Sequence, residues 1–120
     1  QYIVDHAILD LNKTPLVIAA GDEHKFTFAG IEPKLRSNNY VMIRAKAIGN
    51  TTPKVYFNYG RDNAKNGGIV LRTIGTAEGV DYLIRLAGQD KWYREDNNWI
   101  SLYTEGCAIE VEKIQLSQGE

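Results

Sequence analysis

The side chains able to do covalent or metal chemistry are few in this sequence. The two histidines, His6 and His24, stand in separate early segments, and Cys107 is the single cysteine. Neither histidine belongs to an HxxxH or HExxH spacing, and no Cys–His pair has metal-ligand spacing. There is no G-x-S-x-G elbow and no phosphate-cradling glycine loop ahead of a helix. Gly67-Gly68 reads as turn chemistry. The best acid pair is Glu110 and Glu112. At i, i+2 on a strand such carboxylates lie about 7 Å apart, a separation compatible with glycoside hydrolysis. Alternating acids on a strand also mark a solvated face that resists edge pairing. No third group orients a nucleophile or base, so the residues point away from an enzyme.

The oxygen-bearing loop residues Asp22, Asp62, Asn63, Asp81 and Asp96 are of the type that ligates calcium. No DxDxDG-type spacing concentrates them in one loop. A structural calcium is thus open to them, and no other cofactor is expected. Cys107 opens a strand, where a small buried side chain is expected rather than a reactive thiol.

Binding chemistry is better represented. Arg44, Lys46, Tyr56, Asn58, Arg72, Arg85, Ser101 and Tyr103 all sit at positions that alternate with apolar residues, and so they face away from a core. Arginine offers a planar donor fork for carboxylates, and tyrosine stacks on the apolar face of a sugar while its hydroxyl bonds. Such a face suits polyhydroxylated or acidic ligands; equally, it can be an ordinary solvated face with long side chains laid over the sheet. The rival location is a set of loops, Tyr59 to Asn63 and Lys91 to Asp96, that mix aromatic, charged and amide groups. Within the second, Tyr93 and Arg94 are the exposed candidates. Trp92 directly follows a core strand and reads as a plug closing one end of the fold, while Trp99 is open to either role.

The elements that must position these residues are strands. Tyr40 to Ile48 alternates Val41, Ile43, Ala45 and Ala47 with Tyr40, Met42, Arg44 and Lys46. Val55, Phe57 and Tyr59 alternate with Tyr56 and Asn58. Ile69 to Ile74, Tyr82 to Leu86, Ile100 to Tyr103 and Ala108 to Leu116 repeat the pattern, as do Leu16 to Ala20 and Lys25 to Ala29. Ile3 to Leu11 fits a strand or a short helix. Gly-, Asn- and Pro-rich turns separate the segments, with Gly60 to Gly68 the most loop-like. About eight to nine short strands at this spacing predict an all-β antiparallel sandwich formed by one domain over residues 1–120.

Composition agrees and narrows the classes. The chain has 120 residues, 43% hydrophobic and 24% charged, with a formal net charge of −1. That charge gives no bulk attraction to nucleic acid or anionic lipid. No stretch approaches the roughly 20 apolar residues of a membrane helix. The N-terminal QYIVDHAILDL lacks the basic leader and cleavage site of a signal peptide, and a start at Gln1 without a Met suggests an excised module or a processed chain.

The order of Tyr82-Leu83-Ile84-Arg85-Leu86, a loop Trp92, Ile100-Ser101-Leu102 and a closing strand from Ala108 to Leu116 resembles the C-terminal half of galactose-binding-domain-like β-sandwiches. These are the jelly rolls of many carbohydrate-binding modules. The resemblance implies a jelly-roll fold and a non-catalytic module that targets an appended enzyme to polysaccharide, outside the cell or at its surface. In that superfamily the loop tryptophan is often structural. No planar row of tryptophans is present, which favours soluble single chains such as hemicellulose or pectin, or a terminal sugar, over crystalline cellulose. The arginines lean towards acidic glycans. The competing expectation is a structural or protein-interaction sandwich within a larger glycan-active or surface protein.

Overall fold

The computed structural model describes residues 3–10, 15–27, 40–49, 51–71, 74–86, 88–93 and 96–119, with the backbone alone described for 3–10, 71, 93 and 117–119. Among these residues the chain forms nine strands of three residues or more and one of two. They are β1 (Ile3–Asp10), β2 (Leu16–Ile18), β3 (Glu23–Thr27), β4 (Tyr40–Ile48), β5 (Lys54–Arg61), β6 (Ala64–Lys65), β7 (Ile69–Leu71), β8 (Asp81–Arg85), β9 (Trp99–Glu105) and β10 (Ala108–Gly119). A single 3-10 turn spans Asp90–Tyr93. The segment that fitted either strand or helix is the strand β1.

The strands pair antiparallel in two sheets. The first has the order β1-β10-β4-β8, with β2 also on β10; the second has the order β3-β9-β5-β6, with β7 also on β5. This is an all-β sandwich, compatible with a jelly roll. The last three long strands are consecutive in sequence but not in one sheet: β8 and β10 belong to the first and β9 to the second.

The core follows from the alternation. In β4, Val41, Ile43, Ala45 and Ala47 are buried while Tyr40, Met42, Arg44 and Lys46 are half-buried on the opposite face. Phe57, Tyr59, Ile100 and Leu102 bury from the second sheet against Ile84, Ile109 and Val111 of the first. Burying one such side chain contributes about 1.5–3 kcal/mol. The strand β10 breaks its own period: Ile109 and Val111 are buried, then Ile114 and Leu116. A register shift between Val111 and Lys113 in the pairing with β4 accounts for this. The extra residue of a bulge moves the apolar set from odd to even positions and keeps one face inward. Tyr82, expected in the core, packs half-buried at its margin, where its hydroxyl accepts the Gly75 amide at 3.0 Å.

Trp92 is fully buried. Its ring meets that of Tyr59 edge-on, with centroids 5.5 Å apart. The fully buried Asn97 donates from Nδ2 to the Lys91 carbonyl at 2.8 Å and to the Trp92 carbonyl at 2.9 Å, which fixes the 3-10 turn across the end of the sandwich. The tryptophan is a plug, as its position after a core strand predicts.

Candidate functional site

The outward residues expected to share one face belong to two. Arg44, Lys46 and Arg85 lie on the outer face of the first sheet, on β4 and β8; Tyr56, Asn58, Ser101 and Tyr103 lie on the outer face of the second, on β5 and β9. The alternation sets inward against outward but carries no mark of sheet membership, so the single face drawn from sequence is corrected to two. Arg72 and Arg94 lie outside the described residues, and Tyr93 is described only as the end of the 3-10 turn.

On the first sheet Arg44 and Lys46 are engaged by neighbouring acids. The Arg44 guanidinium forks onto Asp81, with Nε donating at 2.7 Å and Nη2 at 3.2 Å. Lys46 Nζ donates to Glu78 at 2.8 Å and lies 3.7 Å from Glu110. The bond from Asp81 raises the basicity of Arg44, and that from Glu78 raises the basicity of Lys46. Arg85 is exposed on the same face, opposite Tyr40. Glu110 precedes the β10 bulge, half-buried beside Lys46, and Glu112 lies in it and is exposed. This is a charge-compensated, solvated surface.

The second sheet carries a cleft of about 400 Å³, lined by Gly21, Glu23, Tyr56, Asn58, Lys65, Tyr103 and Glu105. Strand register builds it. Tyr103 is the cross-strand partner of both Tyr56 and Glu23, and Tyr56 is also paired with Val70. A row from Val70 through the two tyrosines to Glu23 therefore crosses four strands. The two rings are tilted, with centroids 5.8 Å apart. The next row holds Asn58, Ser101 and Lys25. Tyr103 donates its hydroxyl to Glu105 at 3.2 Å; desolvation, with the adjacent Glu105 charge, raises its pKa and keeps the phenol protonated.

Glu23 organises the floor. Its carboxylate accepts the Ser101 hydroxyl at 2.6 Å and the Lys65 ammonium at 3.2 Å. Burial opposes ionisation of Glu23, but those two donors outweigh it and hold the pKa below the ordinary glutamate value of 4.5. A carboxyl with a depressed folded-state pKa contributes stability above its unfolded value, and that contribution is lost as pH falls through the folded one. The Glu23 carboxyl carbon, followed by NMR, is therefore expected to titrate below pH 4.5, with Ser101→Ala moving the midpoint upwards. A midpoint at or above that value in the unmutated protein would contradict the network.

Trp99 starts β9 on this same outer face, yet is only 2% exposed. Its Nε1 donates to the Asp62 carbonyl at 2.8 Å, and Lys25 Nζ stands 4.4 Å from a ring centroid. The hairpin joining β5 to β6 lies against it because residue 60 is glycine. A Cβ there would collide with the Ala64 carbonyl oxygen and meet Trp99 Cζ2 at 2.8 Å. Gly60→Ala is accordingly expected to destabilise the fold by about 1–3 kcal/mol through overpacking, read as a lowered denaturant midpoint.

Of the lining residues, Tyr56, Asn58 and Tyr103 follow from sequence alternation, and Gly21, Glu23, Lys65 and Glu105 do not. Glu105 had a usable signal, since it stands two residues beyond Tyr103 on the same strand. Glu23 likewise precedes Lys25 by two, on the face opposite Phe26. Lys65 had none, because its place depends on how a loop folds back over a sheet. His24 is exposed and packs edge-on to Phe26 at 4.8 Å, while the side chain of His6 lies outside the described residues. Cys107 is half-buried and donates its thiol to the Thr51 carbonyl at 3.2 Å. Among the described residues no group of three or more His, Cys, Asp or Glu is placed to hold a metal ion. In comparisons with known proteins, the chain matches no family model, no curated protein and no solved structure.

Proposed function

We propose that this chain is a non-catalytic carbohydrate-binding module of the galactose-binding-domain-like type, which holds an appended enzyme on a soluble polysaccharide chain outside the cell or at its surface. The observation that carries the reading is the cleft on the second sheet, where Tyr56 and Tyr103 stand side by side among Asn58, Glu23 and Glu105. The rings supply an apolar platform for a sugar face, and the amide and carboxylates accept hydroxyl hydrogen bonds, the carboxylates giving the stronger, charge-assisted kind. The cleft residues carry two carboxylates, Glu23 and Glu105, against one ammonium, Lys65. That balance favours neutral chains such as hemicelluloses over acidic ones. Of the arginines that leaned towards acidic glycans, Arg44 and Arg85 lie on the other sheet, where Arg44 is already forked on Asp81.

Affinity electrophoresis and a glycan array test the reading. Retention by a neutral polysaccharide is expected, and no retention by any plant, algal or host polysaccharide would overturn it. The rival, a protein-interaction sandwich, draws on exposed Val17, Ile48 and Leu83 on the outer face of the first sheet. These stand in different rows of the register, Val17 opposite Glu110, Ile48 opposite Ala108 and Leu83 opposite Met42. Singly scattered surface apolar residues need no partner.

A further inference from the structure

We infer that the cleft is a dead end that receives the terminus of a glycan chain, its stop being the Glu23–Lys65 ion pair. The inference rests on the carbohydrate reading above and names the part of the chain that is bound. Successive rows across the second sheet's outer face show where the surface is open and where it is closed. At the first row, Lys54 opposite Glu105, both residues are exposed. At the second, Val70 is exposed and Tyr56 and Tyr103 are half-exposed. At the third, Ser101 is fully buried and Asn58 only 7% exposed, although both point outwards.

The ion pair covers that third row. Glu23 belongs to β3 and Lys65 to β6, at opposite margins of the sheet order β3-β9-β5-β6. Three strand spacings, about 14 Å in an unfolded sheet, separate those strands. The β5–β6 hairpin lies over this face, since the outward side of Gly60 is filled by the Ala64 carbonyl and Trp99, and from it Lys65 reaches across β5 and β9 to Glu23 at 3.2 Å. The fourth row is filled in turn by Trp99, sealed under Asp62 of the same hairpin and under Lys25. A chain lying along the strands can thus enter past Glu105 and the tyrosines and must stop at row three. There it meets a carboxylate that accepts hydroxyl protons and an ammonium that donates, a pairing suited to the free hydroxyls of a terminal residue.

The test compares the tri- and hexasaccharides of three neutral β-1,4 chains: cellotriose with cellohexaose, xylotriose with xylohexaose, and mannotriose with mannohexaose. Titration calorimetry on the unmutated protein is expected to give dissociation constants within about twofold for the two lengths of the bound series, since units beyond the cleft add no contacts. A hexasaccharide bound more than about fivefold tighter than its trisaccharide would overturn the dead end and leave the carbohydrate reading standing. Binding of none of the six would overturn the dead end for these chains, and the carbohydrate reading falls with it only where the glycan array also shows no retention. Lys65→Ala removes the ammonium that meets the terminal hydroxyls, and both lengths of the bound series are then expected to bind about threefold more weakly. Lys65 is exposed, so the variant is expected to fold. A folded Lys65→Ala protein with unchanged affinity for both lengths would remove the ion pair as the stop.

Discussion

Replacing Trp92 by alanine is expected to cost about 3–5 kcal/mol of stability, a fall in Tm of about 10–20 °C for a domain of this size. The ring is fully buried. Its loss leaves a cavity beside Tyr59, whose ring it meets edge-on at 5.5 Å. It also loosens the turn that presents two carbonyls to the buried Asn97 amide. Asn97 Oδ1 in turn accepts Asn66 Nδ2 at 3.3 Å, linking the plug to the chain beyond β6. Trp92→Phe keeps most of the buried area and is expected to lose less than half as much. A Trp92→Ala protein with the unmutated Tm would contradict the plug. The most aromatic loop of the sequence is on this reading a closure of the core, and carbohydrate binding by Trp92→Phe is expected to stay unchanged.

The second large effect is on binding. Tyr103→Ala is expected to weaken retention by a neutral glycan about thirtyfold, the equivalent of about 2 kcal/mol lost from a central aromatic contact. Tyr103 touches both organising features of the cleft: its ring pairs with Tyr56 at 5.8 Å, and its hydroxyl donates to Glu105. It is half-buried and outside the core, so the Tm is expected to move little. Arg44→Ala serves as the opposing variant. It breaks the fork on Asp81 and leaves glycan affinity unchanged, because Arg44 is on the other sheet. Loss of binding in Arg44→Ala with none in Tyr103→Ala would reverse the assignment.

The strands were legible because alternation is a local property. Tyr40 to Ile48 is a strand with the bounds its pattern predicts, and Ile100 and Leu102 of β9 are in the core as expected, though Trp99, Ser101 and Thr104 of that strand are buried as well. Partnership was not legible, because it is set by long-range pairing. Nothing local to Arg44 and Tyr56 places them on opposite faces of a sandwich. The β10 bulge did leave a trace, since the apolar positions switch from Ile109 and Val111 to Ile114 and Leu116. That break in a period of two is the sequence form of one extra residue. Three of the seven residues that line the cleft were legible for the same reason. Tyr56, Asn58 and Tyr103 announce themselves by outward alternation on long strands. Lys65 comes from a two-residue strand inside the most glycine-rich loop, and its reach to Glu23 depends on Gly60 letting the hairpin close over Trp99.

Backbone amide shifts recorded by NMR during titration with a neutral polysaccharide hydrolysate place the ligand directly on one face or the other. The expected result is a contiguous set of changes at Glu23, Tyr56, Asn58, Lys65, Tyr103 and Glu105. Changes confined to Arg44, Lys46 and Arg85 would contradict the assignment of binding to the second sheet.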